Sequence, residues 1–256
     1  MTAMRVHVVQ LSYGDDESTR ARVDRVAALV RAQAGADLVV LPELWPNGGF
    51  AYAGWASGAE PLDGPVVTTL RSAARDLGAR VHLGSFIEAD GTGAMFNTSV
   101  LVGADGEVLT TYRKVHLFGF GEGEPALLTA GKKPVVHHST GLATCYDLRF
   151  PEQFRRLLDD GAEMVLVPAA WPARRVAHWG LLAQARAVEN QMYVVACNTG
   201  GSHAGVEMGG HSMVVDPWGE VLAEAGTGEE VLVVDVDRDL VRRTRKSFPV
   251  LGDRRL

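Results

Sequence analysis

Short apolar runs and amphipathic segments alternate along the chain from about residue 5 to residue 237, with no Pro-, Gly- or Ser-rich linker and no internal repeat between them. That alternation dictates a layered α/β architecture, because each apolar strand face and each helix stripe must be buried against another element. Residues 5–11 read as a strand, and residues 18–34 as a helix whose Val23, Val26, Ala27 and Val30 recur at helical spacing. The apolar run 36–41 ends at Pro42-Glu43, so a strand stops where a carboxylate is presented. A helix over 65–77 precedes strands over 80–87, 96–102 and 107–112, the last two joined by the turn residues Ala104-Asp105-Gly106. Lys114 follows directly. Strands over 135–138 and 141–145 lead to a helix over 151–160 with proline at its first position, which puts Cys145 at a strand-to-helix transition. A strand over 163–167, a helix over 177–189 with Leu181, Leu182, Ala185 and Val188 on one apolar face, and strands over 193–198, 211–216, 220–223 and 231–236 complete the pattern.

The 256 residues suffice for one large core or two small ones, and the unbroken pattern favours a single domain over 1–256. The basic stretch 242–256, with Pro249 and Gly252, reads as a C-terminal tail that could reach a partner subunit. Hydrophobic residues make up 46% and charged residues 22%, ordinary globular values that argue against disorder. A formal charge of −6 gives no basic field for nucleic acid or an anionic membrane. No apolar run is long enough to cross a bilayer, and the N-terminus lacks a basic region followed by an apolar stretch, so a cytoplasmic protein is expected. The two cysteines, Cys145 and Cys197, have neither metal-ligand spacing nor disulfide density.

Glu43, Lys114 and Cys145 each sit at the exit of an apolar run, where open α/β sheets carry their reactive groups. Together they supply a thiol to attack, a carboxylate to move its proton and a cation to stabilise an oxyanion, a set that needs no metal and no cofactor. An adjacent ammonium and a helix N-terminus would both favour the Cys145 thiolate. Taken singly, each residue has an ordinary reading: free cysteine is commonly core, and a lone Glu or Lys is commonly a solvated charge. Cys197, inside the apolar run 194–197, fits the core reading, whereas Cys145 is flanked by Tyr146, Asp147 and Arg149. His116, two residues from Lys114, offers a Cys/His alternative, but no protease-type flank surrounds Cys145. His178 reads as structural or pocket-lining, and the adjacent His137 and His138 should face opposite sides of a strand, which disfavours a metal site.

Three segments, Leu41-Pro-Glu-Leu44, Tyr112-Arg-Lys-Val-His-Leu-Phe118 and Gly141-Leu-Ala-Thr-Cys-Tyr-Asp-Leu-Arg-Phe-Pro-Glu152, occur in the order and at about the spacing seen in the nitrilase superfamily. The stretches 177–191 and 210–220 are similar to that family too, so the resemblance spans about residues 5 to 237. It implies a four-layer αββα sandwich, a homodimer or higher homo-oligomer, and a cysteine amidase with Glu43 as general base, Lys114 as oxyanion cation and Cys145 as nucleophile. It also implies a second glutamate between lysine and cysteine; Glu124 is chosen over Glu122 because it stands seven residues before Gly131, matching the family's interval. The backbone N–H of Tyr146 is the expected second oxyanion donor. Within the family, Trp171-Pro172-Ala173 followed by Ala177-His178-Trp179 looks most like ω-amidases, which hydrolyse the terminal amide of 2-oxoglutaramate or 2-oxosuccinamate. Such substrates need a cationic subsite, for which Arg149, Arg174 and Arg175 are candidates, and Trp171 is expected to wall the acyl pocket. The aromatic, glycine-rich loop 48–58 reads either as a lid or as packed wall, and 200–210 is a second loop candidate. Another amidase or nitrilase of the superfamily, acting on deaminated glutathione, an N-carbamoyl compound or an aliphatic amide, would use the same trio. An idle oligomeric scaffold is the remaining alternative, and its Cys145 should be alkylated no faster than an ordinary thiol.

Overall fold

The computed structural model of the protein describes residues 3–255 and begins with β1 (Ala3–Gln10), α1 (Thr19–Arg31), β2 (Leu38–Val40), α2 (Tyr52–Trp55), α3 (Pro65–Leu77), β3 (Arg80–Ala89), β4 (Met95–Val102) and β5 (Val108–Arg113). There follow α4 (Glu124–Leu127), β6 (Val135–His137), β7 (Thr140–Leu142), α5 (Pro151–Asp159), β8 (Met164–Pro168), α6 (Val176–Asn190) and β9 (Tyr193–Cys197). The hairpin β10 (Ser202–His203) and β11 (Val206–Glu207), then β12 (Met213–Val215), β13 (Val221–Glu224), β14 (Glu230–Asp237) and α7 (Leu240–Ser247) complete it. Local chemistry sets the helix ends. The Ser18 side chain accepts from the Ala21 N–H at the start of α1, while α3 opens on Pro65 and stops at Gly78 in the left-handed region.

Two six-stranded sheets, ordered β14-β1-β2-β3-β4-β5 and β13-β12-β9-β8-β7-β6, pack face to face. Val6, Val8, Leu38, Val40 and Tyr112 of the first meet Leu142, Leu166, Val195 and Val214 of the second. The opposite strand faces bury against helices: Val9, Val39 and Val81 under α1 and α3, and Val165, Val167 and Val194 under α5 and α6. Each central strand is therefore covered on both sides, which is why its sequence is continuously apolar instead of alternating. This is the αββα sandwich. Strands β1, β2 and β3 run parallel, as do β7, β8 and β9, so the segments leaving β2, β7 and β8 open toward the ligand-binding end typical of parallel sheets.

Three expectations need correction. The strand expected over 141–145 ends at Leu142, because the Asp147 carboxylate takes the Thr144 N–H at 2.8 Å and turns the chain into a 3₁₀ turn, Cys145–Arg149. The face of α6 carrying Leu181 and Val188 points outward, with 67% and 49% exposure, and Trp179, Ala183, Arg186, Ala187 and Asn190 are buried instead. Small alanines let the helix approach its sheet, and Trp179 Nε1 and Arg186 Nε reach the interior carbonyls of His211 and Leu148 at 2.7 and 3.0 Å. The stretch 242–256 begins inside a helix rather than as a tail: Thr244 is buried, Arg245 donates to the Ala162 carbonyl, and Arg254 pairs with Asp159. Its last residue, Leu256, lies outside the described residues.

Candidate active site

Glu43 follows β2 after Leu41-Pro42, and the local chain path depends on Gly84, whose φ is +68° and where a Cβ would lie 1.8 Å from the Pro42 carbonyl oxygen. Any larger residue would displace the peptide that carries Glu43. Lys114 follows β5 and is held in the same way: Gly131 donates its N–H to the Lys114 carbonyl at 2.8 Å, and a Cβ there would sit 1.9 Å from the Arg113 oxygen. Cys145 adopts φ +45°, a left-handed conformation costly for a residue with a Cβ, at the apex of the turn described above. The turn is anchored by Asp147, which is fully buried and accepts from the Tyr112 hydroxyl at 2.6 Å and the His116 N–H at 3.0 Å.

Glu43, Lys114, Glu124 and Cys145 line one cavity with Phe50, Tyr52, Phe118, Tyr146, Trp171, Arg149 and Arg175. Lys114 Nζ donates to Glu43 Oε1 at 2.7 Å and to Glu124 Oε2 at 2.8 Å, with its side chain 1% exposed. Asn97 Nδ2 lies 2.8 Å from both Glu43 Oε1 and Glu124 Oε1, and the Ala170 N–H donates to Glu43 Oε2 at 2.9 Å. Phe118 N–H caps Glu124 Oε2 at 2.6 Å. Every carboxylate oxygen is thus tied, which a buried charge requires.

The charges are mutually dependent. Burial alone would discharge Lys114, but the Glu124 and Glu43 carboxylates outweigh it and hold the ammonium well above its ordinary pKa. Glu124 is raised, by burial first and then by the second carboxylate, with Lys114 opposing both. For Cys145 the expected thiolate gives way to a neutral thiol: burial, then the Glu43 charge, push its pKa well above 9.0, against a smaller downward pull from Lys114. An alkylation rate no faster than that of a free cysteine is therefore compatible with a working nucleophile and does not indicate an idle scaffold. The rate of iodoacetamide reaction at Cys145 should stay below that of a cysteine peptide at pH ~8 and keep rising beyond the peptide's plateau near pH ~9.5; a peptide-like profile would contradict this electrostatic picture.

Several candidates land elsewhere. Arg174 is exposed and does not line the cavity; the short 3₁₀ turn Ala173–Arg175 places its neighbour Arg175 there instead. His116 bonds Asp147 through Nδ1 at 2.8 Å and stacks on Phe150, so it supports the turn and is not paired with Cys145. His178 is exposed and meets the Arg149 guanidinium. The rings of His137 and His138 touch, with centroids 4.4 Å apart, because His138 has a left-handed backbone and not the strand geometry expected. Among the described residues no group of three or more His, Cys, Asp or Glu could hold a metal ion. In the loop 48–58, Trp55 is fully buried and its Nε1 donates to the Gly48 carbonyl at 2.8 Å, so this side chain belongs to a packed wall, with Phe50 and Tyr52 facing the cavity. Within residues 200–210, Ser202–His203 and Val206–Glu207 pair as the β10–β11 hairpin. Cys197 is buried in the intersheet core. Asn97 was not singled out by any motif, whereas Arg175 stood among the cationic candidates.

The chain matches the family model described as carbon-nitrogen hydrolase over residues 5–246. It is 44% identical to a 2-oxoglutaramate amidase of Paenarthrobacter nicotinovorans, over 98% of this chain and 89% of that protein. It is 33% identical to the omega-amidase NIT2 of Danio rerio, over 100% of this chain and 96% of the relative. A solved CN-hydrolase superfamily protein from Xanthomonas campestris, with an arsenic adduct in its active site, superposes with a TM-score of 0.90 at 31% identity, covering 100% of this chain and 98% of that one. Among the described residues no helix is long and apolar enough to cross a membrane.

Proposed function

The chain belongs to the carbon-nitrogen hydrolase family and is an amide-cleaving enzyme, and from that premise we propose that Cys145 is its nucleophile and the terminal amide of 2-oxoglutaramate its substrate. One observation carries the mechanistic reading: the Cys145 thiol shares one cavity with Glu43 and with an ammonium that is locked between two carboxylates. Glu43 takes the Cys145 proton as sulfur attacks the amide carbon. The oxyanion is met by Lys114 Nζ and the Tyr146 N–H, a pairing of fixed donors that costs no reorganisation. Collapse expels ammonia as Glu43 returns the proton to nitrogen, leaving a thioester. Water, deprotonated by Glu43, adds to that thioester, and the thiol leaves reprotonated with release of the carboxylic acid. Glu124 and Asn97 position Lys114 and Glu43 for both halves, and Trp171 forms the acyl wall.

The substrate assignment rests on the 44% identity to a 2-oxoglutaramate amidase and on the cationic cavity mouth. In a panel of 2-oxoglutaramate, 2-oxosuccinamate, an aliphatic amide and a nitrile, ammonia release should be fastest from the first, by at least ~10-fold over the aliphatic amide in kcat/KM. A preference for the aliphatic amide or the nitrile would keep the mechanism and overturn the substrate. We place the enzyme in the cytoplasm as a single-domain homodimer. The outward Leu181 and Val188 of α6, beside exposed Trp218 and Phe248, are the apolar surface expected to pair two copies.

A further inference from the structure

Two guanidinium groups face the cavity with no carboxylate within ion-pair distance among the described residues, Arg149 and Arg175. The acids of the cavity cannot answer them, since Glu43 and Glu124 are committed to Lys114. Both arginines are nevertheless held in place. The Arg149 guanidinium lies 4.6 Å above the Trp171 ring and 3.3 Å from His178 Nδ1. The Arg175 guanidinium lies 5.1 Å from the Phe118 ring centroid, and its backbone carbonyl accepts the Trp171 indole N–H at 2.8 Å. Trp171 thus links the two, supporting one through its face and the other through its edge.

Electrostatics agrees with the geometry. Partial burial and then the like charges of Arg174 and Arg149 hold Arg175 below its ordinary pKa, and the residue lines the same cavity as Cys145 and Tyr146. Two part-desolvated cations side by side repel each other, and an anion bridging them removes that cost. A carboxylate suits them, because each planar fork can give two parallel hydrogen bonds.

We propose that Arg175 is the specificity-determining residue of this site: seconded by Arg149, it binds a carboxylate at the end of the substrate remote from the amide. This rests on the reading of Cys145 as nucleophile. The enzyme would then take short amides bearing one anionic end and discriminate against neutral amides of the same length. Arg174, adjacent in sequence but turned to solvent, has no part in it.

The test compares glutaramate with pentanamide, two amides of one chain length that differ in the carboxylate, in wild type, Arg175→Gln, Arg175→Lys and Arg174→Gln. Arg175→Gln should lower kcat/KM for glutaramate by ~10- to 100-fold, mainly through KM, and at least ~10-fold more than it lowers the value for pentanamide. Arg175→Lys should recover part of the loss, and Arg174→Gln should stay within ~2-fold of wild type. Equal losses on both amides would reduce Arg175 to a structural role and overturn the proposal, as would no loss on either. Calorimetric binding of glutarate to the wild-type enzyme and to Arg175→Gln separates this from the catalytic reading, since it needs no turnover. A Kd raised ~10-fold or more supports the carboxylate site even if Cys145 is not the nucleophile. An unchanged Kd overturns it even if Cys145 is.

Discussion

Replacing Glu43 with glutamine should lower ammonia release by ~10³-fold or more, close to the floor set by Cys145→Ala, and at the same time make Cys145 easier to alkylate at neutral pH. The first effect follows from using one group twice. A general base contributes ~10²- to 10⁴-fold to a single proton transfer, and in the proposed mechanism Glu43 is the acid–base group in both formation and hydrolysis of the thioester. The second follows from the sign of its influence on the thiol: the Glu43 charge raises the Cys145 pKa, while Lys114 lowers it. With the carboxylate gone and the ammonium still beside Glu124, the thiolate fraction at pH ~7.5 must rise. The glutamine amide would point one N–H at the Ala170 N–H that now donates to Glu43 Oε2, an opposition worth about 1–3 kcal/mol, so a thermal melt should accompany the kinetics. Activity within tenfold of wild type would remove Glu43 from the mechanism. Slower alkylation in a folded variant would show that the charges around Cys145 are misassigned.

Much of this arrangement was legible because it is built at the ends of strands. Glu43 and Lys114 each follow an apolar run directly, and runs buried on both faces are the strongest signal a parallel sheet leaves in sequence. Glu124 could be chosen by its interval to Gly131, and the structure gives that interval a cause: Gly131 is packed on the Arg113 carbonyl and holds the chain beside Lys114. Asn97 was invisible for the opposite reason. It lies inside β4, where an asparagine breaks the apolar pattern and announces nothing, and its importance exists only once Glu43 and Glu124 converge on it from 54 and 27 residues away. Arg174 and Arg175 illustrate a finer limit. Adjacent residues in a 3₁₀ turn point about 120° apart, so identifying the inward one requires the phase of the turn, which composition does not carry. On α6 the aliphatic Leu181 and Val188 lie on the side away from the sheet, and only Trp179 and the alanines, read for size and hydrogen bonding, could have set the inward face.

Lys114→Met should be the most destabilising single change in the site, lowering stability by about 3–5 kcal/mol and the melting temperature by roughly 10 °C, besides abolishing turnover. The methionine fills similar volume, so the loss is electrostatic: it leaves two buried carboxylates facing one another with Asn97 as their shared side-chain donor. Glu124 is already raised by burial and by Glu43 with the ammonium in place, and without Lys114 it must rise further. A carboxyl group whose folded pKa exceeds its unfolded value contributes its stability in full below the unfolded value and loses it as pH climbs through the folded one. The variant should therefore lie much nearer to wild type at pH ~5 than at pH ~8. Wild type gains nothing over that interval from Lys114, whose contribution is complete below 10.5 and is lost only as pH climbs from there through its raised folded value. Adding Glu124→Gln to Lys114→Met removes one of the stranded charges and should recover stability at pH ~8 without restoring ammonia release. Melting curves of wild type, the single and the double variant at the two pH values decide it. A pH-independent deficit, or a double variant no more stable than the single, would mean that Lys114 acts through packing and not through the two carboxylates it bridges.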